Sequence, residues 1–295
     1  MRIGIVQMPV DSWQTTVDRA QELERMGFEH LWLYDHLSWQ RYRELDWHAT
    51  MPWLAGIAAA TERIRLGTMV ASPNLRHPLT AAKDAMSLDH ISNGRFIFGL
   101  GAGTSGFDAT VFGDKALTPG QRADRLDEYL QVTAGLLSGE LTNHSGKWYT
   151  VDEGRVIPGC VQRPRLPIAL AGGGTRTIKL AATHADAWIT IGDPLKTPED
   201  LDELEAVLTT QTKLLVETCE KNGRNPEELG RICFVSSAFP LPMSGFDTFA
   251  DLAGRAINLG FTDMVVHDRR AADSVLDYDP ELIPAIAEWN AKQNA

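Results

Sequence analysis

The sequence predicts a (β/α)8 TIM barrel, an α/β fold, formed by one domain over residues 1–295 with insertion loops at the carboxyl-terminal face of its strands. Three observations carry this. Eight short apolar runs alternate with eight stretches of helical period, as parallel strands joined by helical crossovers require. Chemically unusual residues follow several of those runs, at the strand ends where a barrel carries its chemistry. Glycine-rich turns follow the fourth and fifth runs rather than the first, which disfavours the main rival, a doubly wound sheet with phosphate-binding glycines after its first strand.

Residues 3–7 form the first apolar run, and Pro9 follows it. Asp11 and Ser12 can cap a helix to about residue 26, with Val17, Ala20, Leu23 and Glu24 at helical intervals and Gly27 as its stop. Residues 31–34 are the second strand. An aromatic loop holding Trp39, Tyr42, Trp47 and His48 then leads to a helix over 52–60 and a third strand over 64–70. A helix over 78–91, the Asn93-Gly94 turn, a fourth strand over 95–101 and a long helix over 119–137 complete the first half. Pro158, Pro164 and Pro167 punctuate the approach to a fifth strand, 167–171. There follow helices over 175–184, 197–222, 246–259 and 280–291, alternating with strands over 187–191, 231–238 and 262–267. Segments 102–118 and 139–166 are the longest irregular stretches, suited to lids, insertions or packing decoration.

Hydrophobic residues at 43% and charged residues at 23% describe an ordinary globular composition, and no composition shift or repeat marks a second domain. The net charge of −11, without any basic run, argues against nucleic acid or an anionic membrane as partner. Cys160, Cys219 and Cys233 are widely spaced, so neither a disulfide framework nor a zinc cluster is implied. The opening MRIGIVQMPVDSW lacks the flank and core of a signal peptide, and no apolar run reaches the roughly 18 residues needed to span a bilayer. A soluble, cytoplasmic protein is expected.

The candidate chemistry sits in four loops. Asp35-His36 follows the second strand: an imidazole suited to proton transfer near neutral pH beside a carboxylate that can hold it. The bland alternative is a capping Asp and a satisfied His. The third strand runs into Ala71-Ser72-Pro73-Asn74-Leu75-Arg76-His77-Pro78, the fourth into Gly101-Ala102-Gly103-Thr104-Ser105-Gly106, and the fifth into Ala171-Gly172-Gly173-Gly174-Thr175. Glycine admits positive φ and close backbone approach, so the last two loops can accommodate a flat ring and a phosphate. Gly101, Gly103 and Gly106 also match GxGxxG, but no amphipathic helix follows at once, which weakens a dinucleotide reading. Gly172 to Thr175 lead directly into a helix whose first-turn amides, with the Thr175 and Thr177 hydroxyls, can bind phosphate; the alternative is a tight turn that binds nothing. A metal-dependent hydrolase needs ligands at several strand ends. With only His36 and His267 as strand-end histidines, no metal is expected.

Six segments in order, LWLYDH (31–36), IRLGTMVASPNLRHP (64–78), GRFIFGLGAG (94–103), RADRLDEYLQVTAGLLSGE (122–140), VQRPRLPIALAGGG (161–174) and LAATHADAWIT (180–190), resemble the luciferase-like family of flavin- and deazaflavin-dependent oxidoreductases. The resemblance implies a (β/α)8 barrel with its cofactor across the carboxyl ends of the strands. The Asp-His pair and Ser-Pro-x-x-Arg-His-Pro look like the branch that uses coenzyme F420, with FMN as the alternative cofactor. It implies Asp35 as a cofactor contact, His36 as catalytic base, and a non-prolyl cis bond at Met69-Val70 behind the deazaflavin ring. Ser72 would touch the ring, Gly101 and Gly103 would line the pocket, and Gly173, Gly174, Thr177 and Ile178 would hold the phosphate end. Thr104, Ala171 and Gly172 complete the expected cofactor-binding positions, and Trp39 and Phe107 the substrate pocket. The reaction implied is hydride transfer between F420 and a small-molecule substrate, in a protein that, like others of the family, is expected to be a homodimer. An FMNH2-dependent monooxygenase and a non-catalytic flavin- or deazaflavin-binding protein are the alternatives.

One departure stands out. Sugar-oxidising F420 enzymes of the family carry a glutamate after the GxG of the fourth strand, and here that position is Thr104. A threonine has no proton to give at neutral pH. Asp108 can replace it only if the loop folds back.

Overall fold

The computed structural model describes residues 1–39, 42–193, 196–235, 243–268, 279 and 281–293. Eight parallel strands close a barrel in the order β1 (Arg2–Gln7), β10 (Asp263–His267), β9 (Gly230–Phe234), β8 (Ala187–Thr190), β7 (Ile168–Ala171), β4 (Phe96–Gly101), β3 (Arg65–Thr68) and β2 (His30–Leu33). The register at the β1–β10 seam pairs Ile3 with Met264 and Ile5 with Val266. The helices are α1 (Trp13–Arg25), α2 (Thr50–Ala60), α3 (Pro78–Ile91), α4 (Pro119–Leu137), α5 (Thr175–His184), α6 (Leu201–Lys221), α7 (Phe246–Asn258) and α8 (Leu282–Gln293). The predicted α/β alternation is therefore the observed one. The predicted end of the seventh strand, at 236–238, and the predicted start of the last helix, at Pro280, lie outside the described residues.

The local reasons are legible. Ser12 Oγ accepts from Thr15 N at 3.3 Å and opens α1. Thr118 and Gln121 form a reciprocal capping box at α4, with Pro119 at its first turn. Asp200 accepts from Glu203 N at 2.9 Å and starts α6. The strands are nearly continuous apolar runs buried on both faces, as parallel strands covered by helices must be.

The chain divides into two compact units. One comprises Met1–Gln7, Glu22–Trp32 and Ala169–Ala295; the other Met8–Gln21 and Leu33–Ile168. In the second unit, segment 139–166 departs from the expected irregular stretch: it contains an antiparallel hairpin of β5 (Thr142–Ser145) and β6 (Thr150–Gly154). Its sequence is too polar to announce strands. Its position comes from carboxylates elsewhere. Glu128 of α4 accepts from the backbone N–H groups of Lys147, Trp148 and Tyr149 and pairs with His144 at 3.0 Å. Asp89 of α3, fully buried, accepts from Val161 N at 2.7 Å and from Gln162. Burial would raise the Glu128 carboxyl, but these donors outweigh it and hold it below its ordinary value.

Candidate active site

Strand β2 ends in two residues with opposite environments. Asp35 is buried, and its carboxylate is engaged by Arg76 in a two-pronged ion pair, Nη1 to Oδ2 and Nη2 to Oδ1, the latter at 3.0 Å. Burial alone would lower the Arg76 guanidinium; the charge and hydrogen bonds of Asp35 overcome it and hold Arg76 above its ordinary value. Arg76 also approaches Asp84 at 3.9 Å, where burial leaves the Asp84 carboxyl raised despite the nearby cation. Arg76 comes from the motif after β3, so the sequence contained the partner but not the pairing.

His36 turns outward, with 18% of its side chain exposed. Its Nδ1 lies 2.6 Å from Asp108 Oδ2, and the other oxygen of Asp108 accepts from Leu37 N at 3.2 Å. The loop after β4 thus does fold back. Aromatic side chains fix the ring plane: Trp39 stacks on it at 5.7 Å and 12°, Tyr34 at 6.3 Å and 28°, and Trp47 meets it edge-on at 6.1 Å. The Trp47 indole N–H donates to the His36 carbonyl at 2.8 Å, and Thr50 Oγ1 donates to the Tyr34 carbonyl at 2.6 Å. Trp39, expected in the substrate pocket, therefore lies beside the imidazole. Phe107, also expected in the pocket, packs under the Arg43 guanidinium at 4.2 Å.

At the end of β3 the Met69-Val70 bond is cis, as the resemblance implies. The regular strand stops at Thr68, short of the predicted end at Val70. Met69 N donates to Leu33 O at 2.8 Å and Ala71 N to Gly99 O at 2.8 Å, so the ladder resumes around the interruption. Ser72 is buried, and its Oγ accepts from Asn74 N at 3.4 Å. Asn74 is a hub that sequence reasoning missed. Its Nδ2 donates to Thr104 O at 3.3 Å, and its Oδ1 accepts from Arg125 Nη2. Gly103 has φ +75°, and a Cβ there would stand 2.7 Å from Asn74 Nδ2, so this position needs glycine on two counts. Thr104 itself is exposed.

Arg125 of α4 was not foreseen either, although it lies within one of the family-like segments. Its Nε is buried with no hydrogen-bond partner among the described residues, and so are the hydroxyls of Tyr129 and Tyr149. Burial lowers the Arg125 guanidinium and raises both phenols. Orphaned donors of this kind call for acceptors that the protein itself does not supply.

The other unit carries the triple-glycine turn. Its carbonyls are pinned: Gly172 O accepts from Trp188 Nε1, Gly173 O from Gln211 Nε2 and Gly174 O from Thr177 Oγ1, each at 2.9 Å. A Cβ on Gly172 would come within 2.2 Å of Thr177 Oγ1. Gly174 caps α5 without a side-chain hydrogen bond, no acidic residue stands in the first turn, and Ile178 is buried beneath it. Ala171 ends β7 partly exposed. Gly106, in contrast, leads only into a three-residue 3-10 turn, so the GxGxxG match has no helix to supply amides and its dinucleotide reading fails.

Comparison with known proteins places the chain in a family and bears out the fold. Residues 2–239 match the family model described as luciferase-like monooxygenase. An uncharacterized protein of Mycobacterium tuberculosis is 32% identical over 247 residues, 76% of this chain and 80% of that protein. The F420-dependent hydroxymycolic acid dehydrogenase of the same species is 33% identical over 176 residues, 59% of this chain and 48% of the relative. The 4-hydroxyprotoasukamycin monooxygenase of Streptomyces nodosus is 30% identical over 216 residues, covering 70% and 54%. Among solved structures, an F420-dependent secondary alcohol dehydrogenase superposes with a TM-score of 0.78 over 97% of both chains at 15% identity. The coenzyme F420-dependent tetrahydromethanopterin reductase of Methanopyrus kandleri gives 0.74 over 97% of both at 18%. At such identities these structures speak for the fold alone.

Proposed function

The chain belongs to the luciferase-like monooxygenase family, and from that premise we propose that this enzyme is a coenzyme F420-dependent oxidoreductase acting on a small organic substrate, by alcohol dehydrogenation or the reverse reduction, with His36 as proton relay. The observation that carries the reading is the His36 imidazole, part-exposed, stacked on Trp39 and bonded through Nδ1. When bound, the deazaflavin supplies the hydride acceptor or donor. The chain's own part is alignment and proton management: in the oxidising direction His36 takes the substrate hydroxyl proton, and in the reducing direction it returns one.

The residues present fit that cofactor. Buried, unpartnered donors at Arg125, Tyr129 and Tyr149 suit a ring edge rich in carbonyl oxygens. The start of α5, with pinned carbonyls and no side-chain cap, suits a phosphate. Asp35 is then a cofactor contact oriented by Arg76, with Met69, Val70, Ser72, Gly101, Gly103 and Thr104 on the ring side. Ala171 to Gly174, Thr177 and Ile178 belong to the tail side, and Trp39 and Phe107 to the substrate.

A second reading, an FMNH2-dependent monooxygenase, is favoured by the monooxygenase among the relatives. Fluorescence titration of the purified protein with F420 and with FMN tests the proposal. The expected result is F420 binding about tenfold or more tighter than FMN, about 1.4 kcal/mol. Tight FMN binding without F420 binding supports the second reading, and F420 binding without turnover on any alcohol or carbonyl substrate supports a cofactor carrier.

A further inference from the structure

The carboxylate missing at Thr104 has a counterpart in space. Asp108 is 6% exposed, yet both of its oxygens are used, and both on one step of the chain: Oδ2 on His36 Nδ1 at 2.6 Å and Oδ1 on Leu37 N at 3.2 Å. It thereby grips the side chain of His36 and the backbone beside it. A carboxylate only accepts hydrogen bonds, so the short contact puts the proton on Nδ1 and leaves the lone pair of the neutral ring on Nε2. Nε2 has no partner among the described residues. Trp39 stacks on the ring and Trp47 meets it at the edge.

We propose that Asp108 is the positioning residue of this enzyme: by holding Nδ1–H of His36 it makes Nε2 the atom that exchanges the substrate proton. The inference rests on the reading of His36 as proton relay. It differs from the missing glutamate in kind, because Asp108 acts through the imidazole and not on the cofactor. A merely structural tie between loop 102–118 and the end of β2 would be served as well by an amide as by a carboxylate. A positioning role would not. In Asp108→Asn the side-chain carbonyl can keep the Leu37 N–H bond, but an amide N–H facing Nδ1 would push the ring proton to Nε2, where no base is left.

The test uses the full-length, cofactor-free protein, with nitrogen NMR of the imidazoles and His36→Gln to assign the His36 signals. His30 is an internal reference, since its Nδ1 accepts from Trp32 Nε1 at 2.6 Å and its proton must lie on Nε2. The expected result is a protonated Nδ1 on His36 in the wild type and in Asp108→Glu, and a protonated Nε2 in Asp108→Asn. Carbethoxylation of His36 by diethyl pyrocarbonate, read by peptide mass, should slow about tenfold in Asp108→Asn because the free lone pair is gone. A wild-type His36 with its proton on Nε2 overturns the proposal whatever the variants do, and so does an Asp108→Asn protein with the wild-type tautomer. These readouts need no F420, so they separate a failure of this assignment from a failure of the cofactor reading.

Discussion

Two histidines bracket strand β2, and each is bonded to an aspartate, yet their surroundings assign them to different work. His30 is 3% exposed and both of its ring nitrogens are occupied, one by the Trp32 indole and the other by Asp263 Oδ1 at 3.1 Å. Asp263 in turn receives Arg2 through two bonds, at 2.8 and 2.7 Å, and the Thr262 hydroxyl at 2.6 Å. Both ring nitrogens of His30 are spent on the fold. His36 is bonded at one nitrogen, has no partner among the described residues at the other, and is flanked by aromatic faces. A carboxylate–imidazole pair is therefore not itself a sign of catalysis; the unused nitrogen is.

The difference can be broken most forcefully at Asp263. Removing one member of a buried charged network leaves the others unpaired, so Asp263→Ala should lower stability by about 3 to 5 kcal/mol in denaturant unfolding, while the folded fraction keeps its cofactor affinity. His36→Ala should do the reverse. Turnover should fall roughly 100-fold or more in an F420 assay, with an unfolding midpoint close to wild type; unimpaired turnover would remove His36 from the chemistry.

Acid sharpens the comparison further. Burial by itself would raise the Asp263 carboxyl, but the hydrogen bond and charge of His30, with the Arg2 and Thr262 bonds, hold it well below the usual carboxylate range. A depressed folded-state value means that its stabilisation is complete above the ordinary carboxyl value, about 4. It is lost as pH falls from there toward the folded value. Asp263→Asn should flatten that acid limb in pH-dependent unfolding. The smallest effect is expected at Trp47→Phe, which deletes the indole bond to the His36 carbonyl and keeps an aromatic ring in that place. At about 1 kcal/mol for such a bond, turnover should fall roughly fivefold, with F420 affinity unchanged.

Much of the frame was open to sequence reasoning because it rests on local rules. The bounds of α3, α4 and α5 coincide with their predicted limits, since Pro78, the Thr118–Gln121 capping box and Gly174 mark their starts chemically. The Asp35-His36 step and the two glycine turns were identified for the same reason, as unusual residues directly after apolar runs. The β5–β6 hairpin was not. Its strands carry few apolar side chains, and its place is fixed by Glu128, a residue of α4 that reads in sequence as one more helical acid.

Partners at long range escaped in the same way. Asp35 and Arg76, His36 and Asp108, Asn74 and Arg125 are 41, 72 and 51 positions apart. Hydropathy and periodicity report which face of an element is buried; they do not report which polar group will lie opposite. By itself the sequence determined that eight strands and eight helices alternate, which strand ends carry polar residues, and where glycine opens the backbone. Only the tertiary structure decided that Asp35 is held by an arginine, and that among the described residues His36 keeps one nitrogen open while His30 keeps none. The physical reason is that a hydrogen bond depends on a few tenths of an ångström between atoms, and those distances are set by the closure of loops whose lengths the sequence gives but whose paths it does not.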